Sequence, residues 1–148
     1  MSDVAGVAIS HFAVCVGDLE RSRTFYTKAL GFTVSHEVDV TPPFEKLVDF
    51  PAIDGHAIFM MHGGLTLELN GYTTPEVIGP AEPRPMNQRG ITHMAFVVEN
   101  LAATAERIAA HGGTALRHTH VAGPMGDMMF ATDPDGTRLE LWEKKDPA

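Results

Sequence analysis

The sequence predicts an α+β fold in which two similar βαβββ modules form a curved, half-open barrel. Two observations lead to this prediction: the chain contains an internal repeat, and both copies have the same order of predicted strands and helix. Two such modules can place their sheets side by side, so the concave face would hold a functional site. The chain has 148 residues, and one copy of roughly 70 residues would bury too little surface to be a stable domain alone.

The repeat places the same chemical groups at equivalent points of its two copies. An offset of 82 residues carries His11 to His93, and an offset of 72 carries Glu68 to Glu140 within the tripeptide Leu-Glu-Leu. The first copy therefore has about ten extra residues in the segment 31–65. A longer loop there could shape a pocket.

In the first module, residues 1–72, an apolar segment over 6–16 predicts a strand. Asp18 is a suitable cap for the helix that follows, and Gly31 is a natural stop for it. Residues 57–61 and 65–69 then predict a hairpin.

The second module, residues 90–148, repeats this order. A strand is predicted over 91–98, then Asn100 as the cap of a helix that ends near Ala110. Three more strands are predicted near 114–118, 127–132 and 137–142. Residues 73–89 form a proline-containing linker between the modules.

Composition and charge exclude several classes of partner. The net charge is −8 and no Lys/Arg cluster is present, so no nucleic-acid partner is expected. No apolar run approaches the roughly 20 residues that span a bilayer, and the segment 1–4 does not resemble a signal peptide. We therefore expect a cytoplasmic protein with no membrane partner. The single cysteine, Cys15, cannot form an intramolecular disulfide.

The four repeated polar residues are His11, Glu68, His93 and Glu140. Alone, a histidine in an apolar strand is more often a core residue, and a glutamate between leucines more often faces solvent. Together, two imidazoles and two carboxylates are a plausible shell for a divalent metal ion. We expect both histidines to be substantially buried.

The whole chain resembles the vicinal oxygen chelate superfamily, which includes glyoxalase I, methylmalonyl-CoA epimerase, extradiol dioxygenases and bleomycin resistance proteins. The motifs that carry the resemblance are His11, Val16–Ser22, Phe25–Phe32, Gly90–Phe96 and Asp133–Glu140. The resemblance implies one divalent ion held by His11, Glu68, His93 and Glu140. That ion would be Ni, Co, Zn or Mn in the glyoxalase and epimerase types, which have a glutamate or glutamine at the position of Glu68.

The resemblance further implies a lyase or isomerase that transfers a proton α to a metal-chelated carbonyl of a small organic substrate. Glu140 or Glu68 would be the catalytic base, and the sequence leaves open which. It also leaves the use of glutathione open, because Cys15 stands where bacterial glyoxalase I typically has an arginine.

The sequence leaves two other functions open. An Fe(II)-dependent ring-cleaving dioxygenase would use His11, His93 and Glu140, but Phe130 stands where extradiol enzymes commonly have a tyrosine. A drug-binding resistance protein without catalysis would commonly lack the metal ligands. Relatives are commonly homodimers, so a homodimer is expected, and the site could be completed within one chain or across the dimer interface.

Overall fold

The computed structural model describes residues 6–145 as two four-stranded mixed sheets with three helices. Both sheets are open. The elements are, in chain order, β1 (Phe12–Cys15), α1 (Leu19–Leu30), β2 (Thr33–Val40), α2 (Glu45–Val48), β3 (Asp54–His62), β4 (Leu65–Thr74), β5 (Met94–Val97), α3 (Leu101–Ala110), β6 (Thr114–Gly123), β7 (Gly126–Thr132) and β8 (Arg138–Lys144).

The two sheets have the same strand order, β1-β4-β3-β2 and β5-β8-β7-β6. In each sheet the first strand pairs in parallel with the last, and the remaining pairs are antiparallel. This confirms the predicted α+β fold of two repeated units. It also leaves β1 and β5 as edge strands.

The predicted helix boundaries are confirmed. The Asp18 side chain accepts a hydrogen bond of 2.9 Å from the backbone N–H of Arg21, and Asn100 accepts one of 2.8 Å from Ala103. Gly31 ends α1 with a φ of 76°, a conformation that favours glycine. No helix within the described residues 6–145 is long and apolar enough to cross a membrane.

The strands predicted over 6–16 and 91–98 are too long, since β1 and β5 contain only four residues each. Both are edge strands, so each is a strand only where it pairs with β4 or β8. Apolar character alone did not reveal that limit.

One hydrophobic core spans both halves of the chain. In β4 and β8, leucines alternate with the glutamates and lie fully buried against the helices. The glutamates therefore face the opposite side of each sheet. The core includes Phe25, Tyr26, Ala29, Leu67 and Leu69 from the first half and Ala105, Ile108, Ala131, Leu139 and Leu141 from the second.

The turn before β8 joins the second half to helix α1. Buried Asp133 accepts a hydrogen bond of 2.8 Å from the hydroxyl of Tyr26. Burial raises the pKa of Asp133 and raises that of Tyr26 well above its usual value, so the phenol remains a neutral donor. Asp135 accepts hydrogen bonds from the Gly17 backbone and from the Arg21 side chain, 2.9 and 2.8 Å long. These bonds hold the turn of the second half against α1 and the residues just before it.

Tyr26→Phe is expected to lower the free energy of unfolding by about 1–3 kcal/mol, because it removes the donor to Oδ2 of buried Asp133, while the backbone N–H bonds to Oδ1 remain. Tyr72→Phe is the control, since it removes the same hydroxyl from the other tyrosine of the chain. Urea unfolding curves of the three proteins measure the difference. Equal losses in both variants would contradict this role of Tyr26.

Candidate metal centre

His11 and Glu68 meet on the face of the first sheet that lies opposite the core. His11 immediately precedes β1, and its Nε2 lies 3.0 Å from Oε2 of Glu68 on β4. The Ser10 Oγ lies 2.9 Å from Nδ1 of the same ring. The ring of Phe59 packs edge-on against the imidazole with a centroid distance of 5.3 Å.

His93 and Glu140 form a second pair with the same geometry. His93 Nε2 lies 3.0 Å from Oε2 of Glu140, and the Thr92 Oγ1 lies 2.8 Å from Nδ1. The ring of Phe130 also packs edge-on against this imidazole, again at 5.3 Å. Each pair with its hydroxyl and phenyl neighbours is called a half-site below.

The half-sites contain residues whose role the sequence did not reveal. Ser10 and Thr92 are equivalent in the repeat, and both place a hydroxyl at Nδ1. Phe59 and Phe130 pair across the sheet with Glu68 and Glu140, respectively. An offset of 71 residues relates these two phenylalanines, so extending the repeat to them would have indicated a shared role.

The donor set of each half-site fits a divalent ion. The hydroxyl at Nδ1 orients the ring so that Nε2 points toward the glutamate. Imidazole nitrogen and carboxylate oxygen both bind such ions at about 2.0–2.2 Å. Two donor atoms 3.0 Å apart are therefore compatible with adjacent positions on one ion.

Within one chain, the two half-sites do not combine. Across residues 6–145, no three His, Cys, Asp or Glu side chains are placed to hold one ion. The structure thus brings the four candidate ligands together in twos, and their binding to a single ion remains a prediction. The expectation that both histidines are substantially buried was wrong for His11, whose side chain is 37% exposed, whereas that of His93 is partly buried at 27% exposed. The sheets are open, so these faces remain accessible.

A cavity of about 350 Å³ lies beside the first half-site. One wall is α2, which belongs to the extra segment of the first copy and has no counterpart in the second. Tyr72 on β4 contributes a hydroxyl whose pKa is raised by burial, so it stays protonated at neutral pH. The apolar lining consists of Val38, Val40, Phe44, Leu47, Val48, Ala57 and Phe59.

A separate charged cluster lies on β2 and β3. His56 Nδ1 lies 2.8 Å from Asp39, and its Nε2 lies 2.7 Å from Glu37, which also pairs with Arg23. Hydrogen bonds to Glu37 and then to Asp39 raise the pKa of His56. The hydrogen bond to His56 is the main cause that lowers the pKa of Glu37.

We expect this cluster to make stability depend on pH. Because the pKa of His56 is raised in the folded state, its ion pairs stabilise the fold fully at a pH below the unfolded histidine pKa of about 6.5. This contribution to stability is lost as the pH rises through the pKa of folded His56. Because the pKa of Glu37 is lowered in the folded state, this carboxylate contributes stability above its unfolded pKa of about 4.3, and the contribution is lost as pH falls through the folded pKa. His56→Gln should therefore destabilise the protein most between about pH 5 and 6.5, and less at pH 8. Urea unfolding across this range, with exposed His118→Gln as control, would contradict the account if the difference were independent of pH.

The family model of the Glyoxalase/Bleomycin resistance protein/Dioxygenase superfamily matches residues 8–141. The chain belongs to this superfamily. The match covers both half-sites, and it agrees with the repeated order of strands in the two sheets.

Curated relatives within the superfamily support a glyoxalase-type lyase at this general level. The chain is 31% identical over 137 residues to lactoylglutathione lyase of Escherichia coli O157:H7, covering 92% of each protein. It is 30% identical over 135 residues to a probable chloroplastic lactoylglutathione lyase of Arabidopsis thaliana, covering 90% of this chain and 35% of that protein.

Solved structures of the superfamily share the fold. A glyoxalase family protein from Bacillus cereus aligns with a TM-score of 0.85 at 17% identity and covers 99% of both chains, which shows the fold alone. Glyoxalase I from Zea mays aligns with a TM-score of 0.63 at 27% identity, covering 92% of this chain and 44% of that one.

Proposed function

We propose that this protein is a metal-dependent lyase or isomerase of the glyoxalase or epimerase type. The observation that carries the proposal is the pair of equivalent half-sites, each with a histidine Nε2 and a glutamate oxygen 3.0 Å apart. Relatives named lactoylglutathione lyase support the same class of reaction. The substrate would be a small organic molecule with a carbonyl group.

We propose further that a second copy of this chain completes the metal site. Two donors from one half-site leave an ion too few protein ligands, because such sites generally use three or four. A symmetric dimer can pair the first half-site of one copy with the second half-site of the other, twice. His11 and Glu68 of one protomer would then hold the ion together with His93 and Glu140 of its partner.

The edge strands offer a surface for this dimer. Just before β1 and β5, the equivalent residues Ile9 and Ile91 are 81% and 72% exposed, and the strands themselves expose Phe12 and Val97. Exposed apolar residues beside an unpaired strand edge favour contact with another chain. These residues lie next to both half-sites, so one interface would cover the strand edges and complete the metal shell.

The chemistry assigned to the chain's own residues is proton transfer. A bound divalent ion would polarise the substrate carbonyl and stabilise the negative charge that develops on its oxygen. Glu68 or Glu140 would remove the proton from the neighbouring carbon and return it, because both carboxylates line the half-sites. The phenyl rings of Phe59 and Phe130 give each half-site one apolar wall beside its imidazole.

The cavity beside the first half-site would receive an apolar part of the substrate. Its walls are mostly aliphatic and aromatic, so a hydrocarbon group gains more there than a charged one. In the second half-site Phe130 lies against His93, and its phenyl ring offers no hydroxyl to position oxygen. We therefore rank ring-cleaving oxygenation below proton transfer.

Proton exchange tests the proposed reaction without requiring the physiological substrate. Protein loaded with Ni, Co, Zn or Mn is incubated in D₂O with a panel of α-hydroxycarbonyl and acyl-CoA compounds, and NMR follows deuterium at the α carbon. Metal-dependent exchange of a panel member is expected. Absence of exchange with every metal, combined with oxygen uptake by the Fe(II) form with a catechol, would replace the proposal by the dioxygenase. Binding without metal or turnover would indicate a drug-binding protein.

A further inference from the structure

Arg138 lies on the same face of the second sheet as Glu140. It begins β8 two residues before the glutamate, and alternate residues of a strand share a face. Its guanidinium carbon lies 5.1 Å from the ring centroid of Phe130, which in turn contacts His93. The positive charge is therefore part of the surroundings of the second half-site.

The guanidinium of Arg138 has a hydrogen-bond partner but no carboxylate partner among the described residues. Among the described residues, its nitrogens form no ion pair with a carboxylate within 4 Å. Nη2 donates a hydrogen bond of 3.0 Å to the backbone carbonyl of Arg84, whereas Nε is buried with no acceptor in the described part of the chain. A buried donor without an acceptor is costly, so it indicates a missing partner.

A cavity of about 480 Å³ lies beside Arg138 and the second half-site. It is lined by His93, Arg138 and Arg84, and Arg84 likewise takes part in no ion pair of the described residues. Two acidic residues also line it, of which Asp135 already pairs with Arg21 and Glu82 forms no ion pair among the described residues. The charged residues of the lining therefore sum to no net formal charge, and Arg138 is the cation that contacts the Phe130 ring of the half-site.

The first half-site has no such charge. The residue two positions before Glu68 is Thr66, which is the counterpart of Arg138 in the repeat. The pocket beside that half-site is mostly apolar. In a dimer that joins the two kinds of half-site, the substrate would therefore meet an apolar side and a cationic side.

We propose that Arg138 binds a carboxylate group of the substrate and thereby sets substrate specificity. The planar guanidinium suits the two oxygens of a carboxylate. The inference rests on the proposed function, since it places the carboxylate next to a carbonyl held at the metal centre. The substrate class is then a small carbonyl compound that carries a carboxylate.

A matched pair of metal-chelating probes tests this role. Acetohydroxamate is neutral, and malonomonohydroxamate has the same chelating group with an added carboxylate. Their dissociation constants are measured calorimetrically on Ni-loaded wild type, Arg138→Gln, Arg138→Lys and Arg117→Gln. Arg117 is the control because it is an exposed arginine that pairs with Glu106, away from both half-sites.

Wild type and Arg117→Gln are expected to bind the carboxylate probe at least about tenfold more tightly than the neutral one. Arg138→Gln should lose this preference while retaining metal and its affinity for acetohydroxamate, and Arg138→Lys should restore part of it. Retained preference in Arg138→Gln, or none in wild type, would overturn the role of Arg138 and leave the metal site intact. If no protein binds metal, the proposed function fails and the role of Arg138 fails with it.

Discussion

His93→Ala is expected to lose most of the metal that the wild-type protein holds, with binding weakened by at least about a hundredfold. The imidazole is fixed by Thr92 on one side and directed toward Glu140 on the other. Alanine removes a ligand atom, and across residues 6–145 no third His, Cys, Asp or Glu side chain is placed at the half-site to replace it. Elemental analysis of anaerobically purified protein measures the loss.

His118→Ala is the matched control for this experiment. His118 is an exposed histidine on β6, so its replacement changes the histidine content without touching either half-site. It should retain the wild-type stoichiometry of metal. Full metal occupancy in His93→Ala would refute the assignment of this half-site, and no metal in wild type would favour a binding protein.

Glu140→Gln and Glu68→Gln are expected to separate metal binding from proton transfer. An amide oxygen can remain near the ion but cannot accept the substrate proton, so the variant at the base should lose about 10²- to 10⁴-fold in turnover while keeping part of its metal. The compound that exchanges deuterium with wild type serves as substrate, and initial rates are normalised to bound metal.

Exposed Glu106→Gln is the control for general loss of a carboxylate, because Glu106 pairs with Arg117 on the surface. A larger loss in one of the two site variants would identify the base. Unchanged turnover in both would contradict the proton-transfer mechanism. Iron that is retained regardless of Glu68→Gln, with oxygen uptake, would instead indicate the three-ligand dioxygenase.

Much of each half-site could be predicted from the sequence, because its parts are local and repeated. The offsets that relate His11 to His93 and Glu68 to Glu140 correspond to the same strand register in both sheets. Alternation within Leu-Glu-Leu placed the glutamates away from the core, and Asp18 marked the start of a helix. The two-residue alternation of strands and the chemistry of helix-capping side chains were sufficient to predict these features.

The way the two halves pack could not be predicted from these local patterns. It depends on contacts between distant residues, such as Tyr26 with Asp133 and Arg107 with the Ala29 carbonyl. In the packed chain the half-sites remain separate within residues 6–145, and His11 is more exposed than expected. The missing partner of Arg138 also becomes visible only when the surrounding chain is in place.

The most direct test of a metal site shared between two copies uses complementary variants. One chain carries His11→Ala with Glu68→Ala, and the other carries His93→Ala with Glu140→Ala. Each destroys one half-site and leaves the other intact. The two chains are co-expressed with different tags, and the heterodimer is isolated by both tags for elemental analysis and turnover.

In the shared arrangement, the heterodimer contains one complete site and one site without ligands, so it should hold about one ion per two chains. Each variant purified alone should hold almost none. If every site were built within one chain, the heterodimer would hold as little metal as each variant purified alone. Metal in the heterodimer but not in either parent is the predicted result, and a heterodimer without metal would contradict the account.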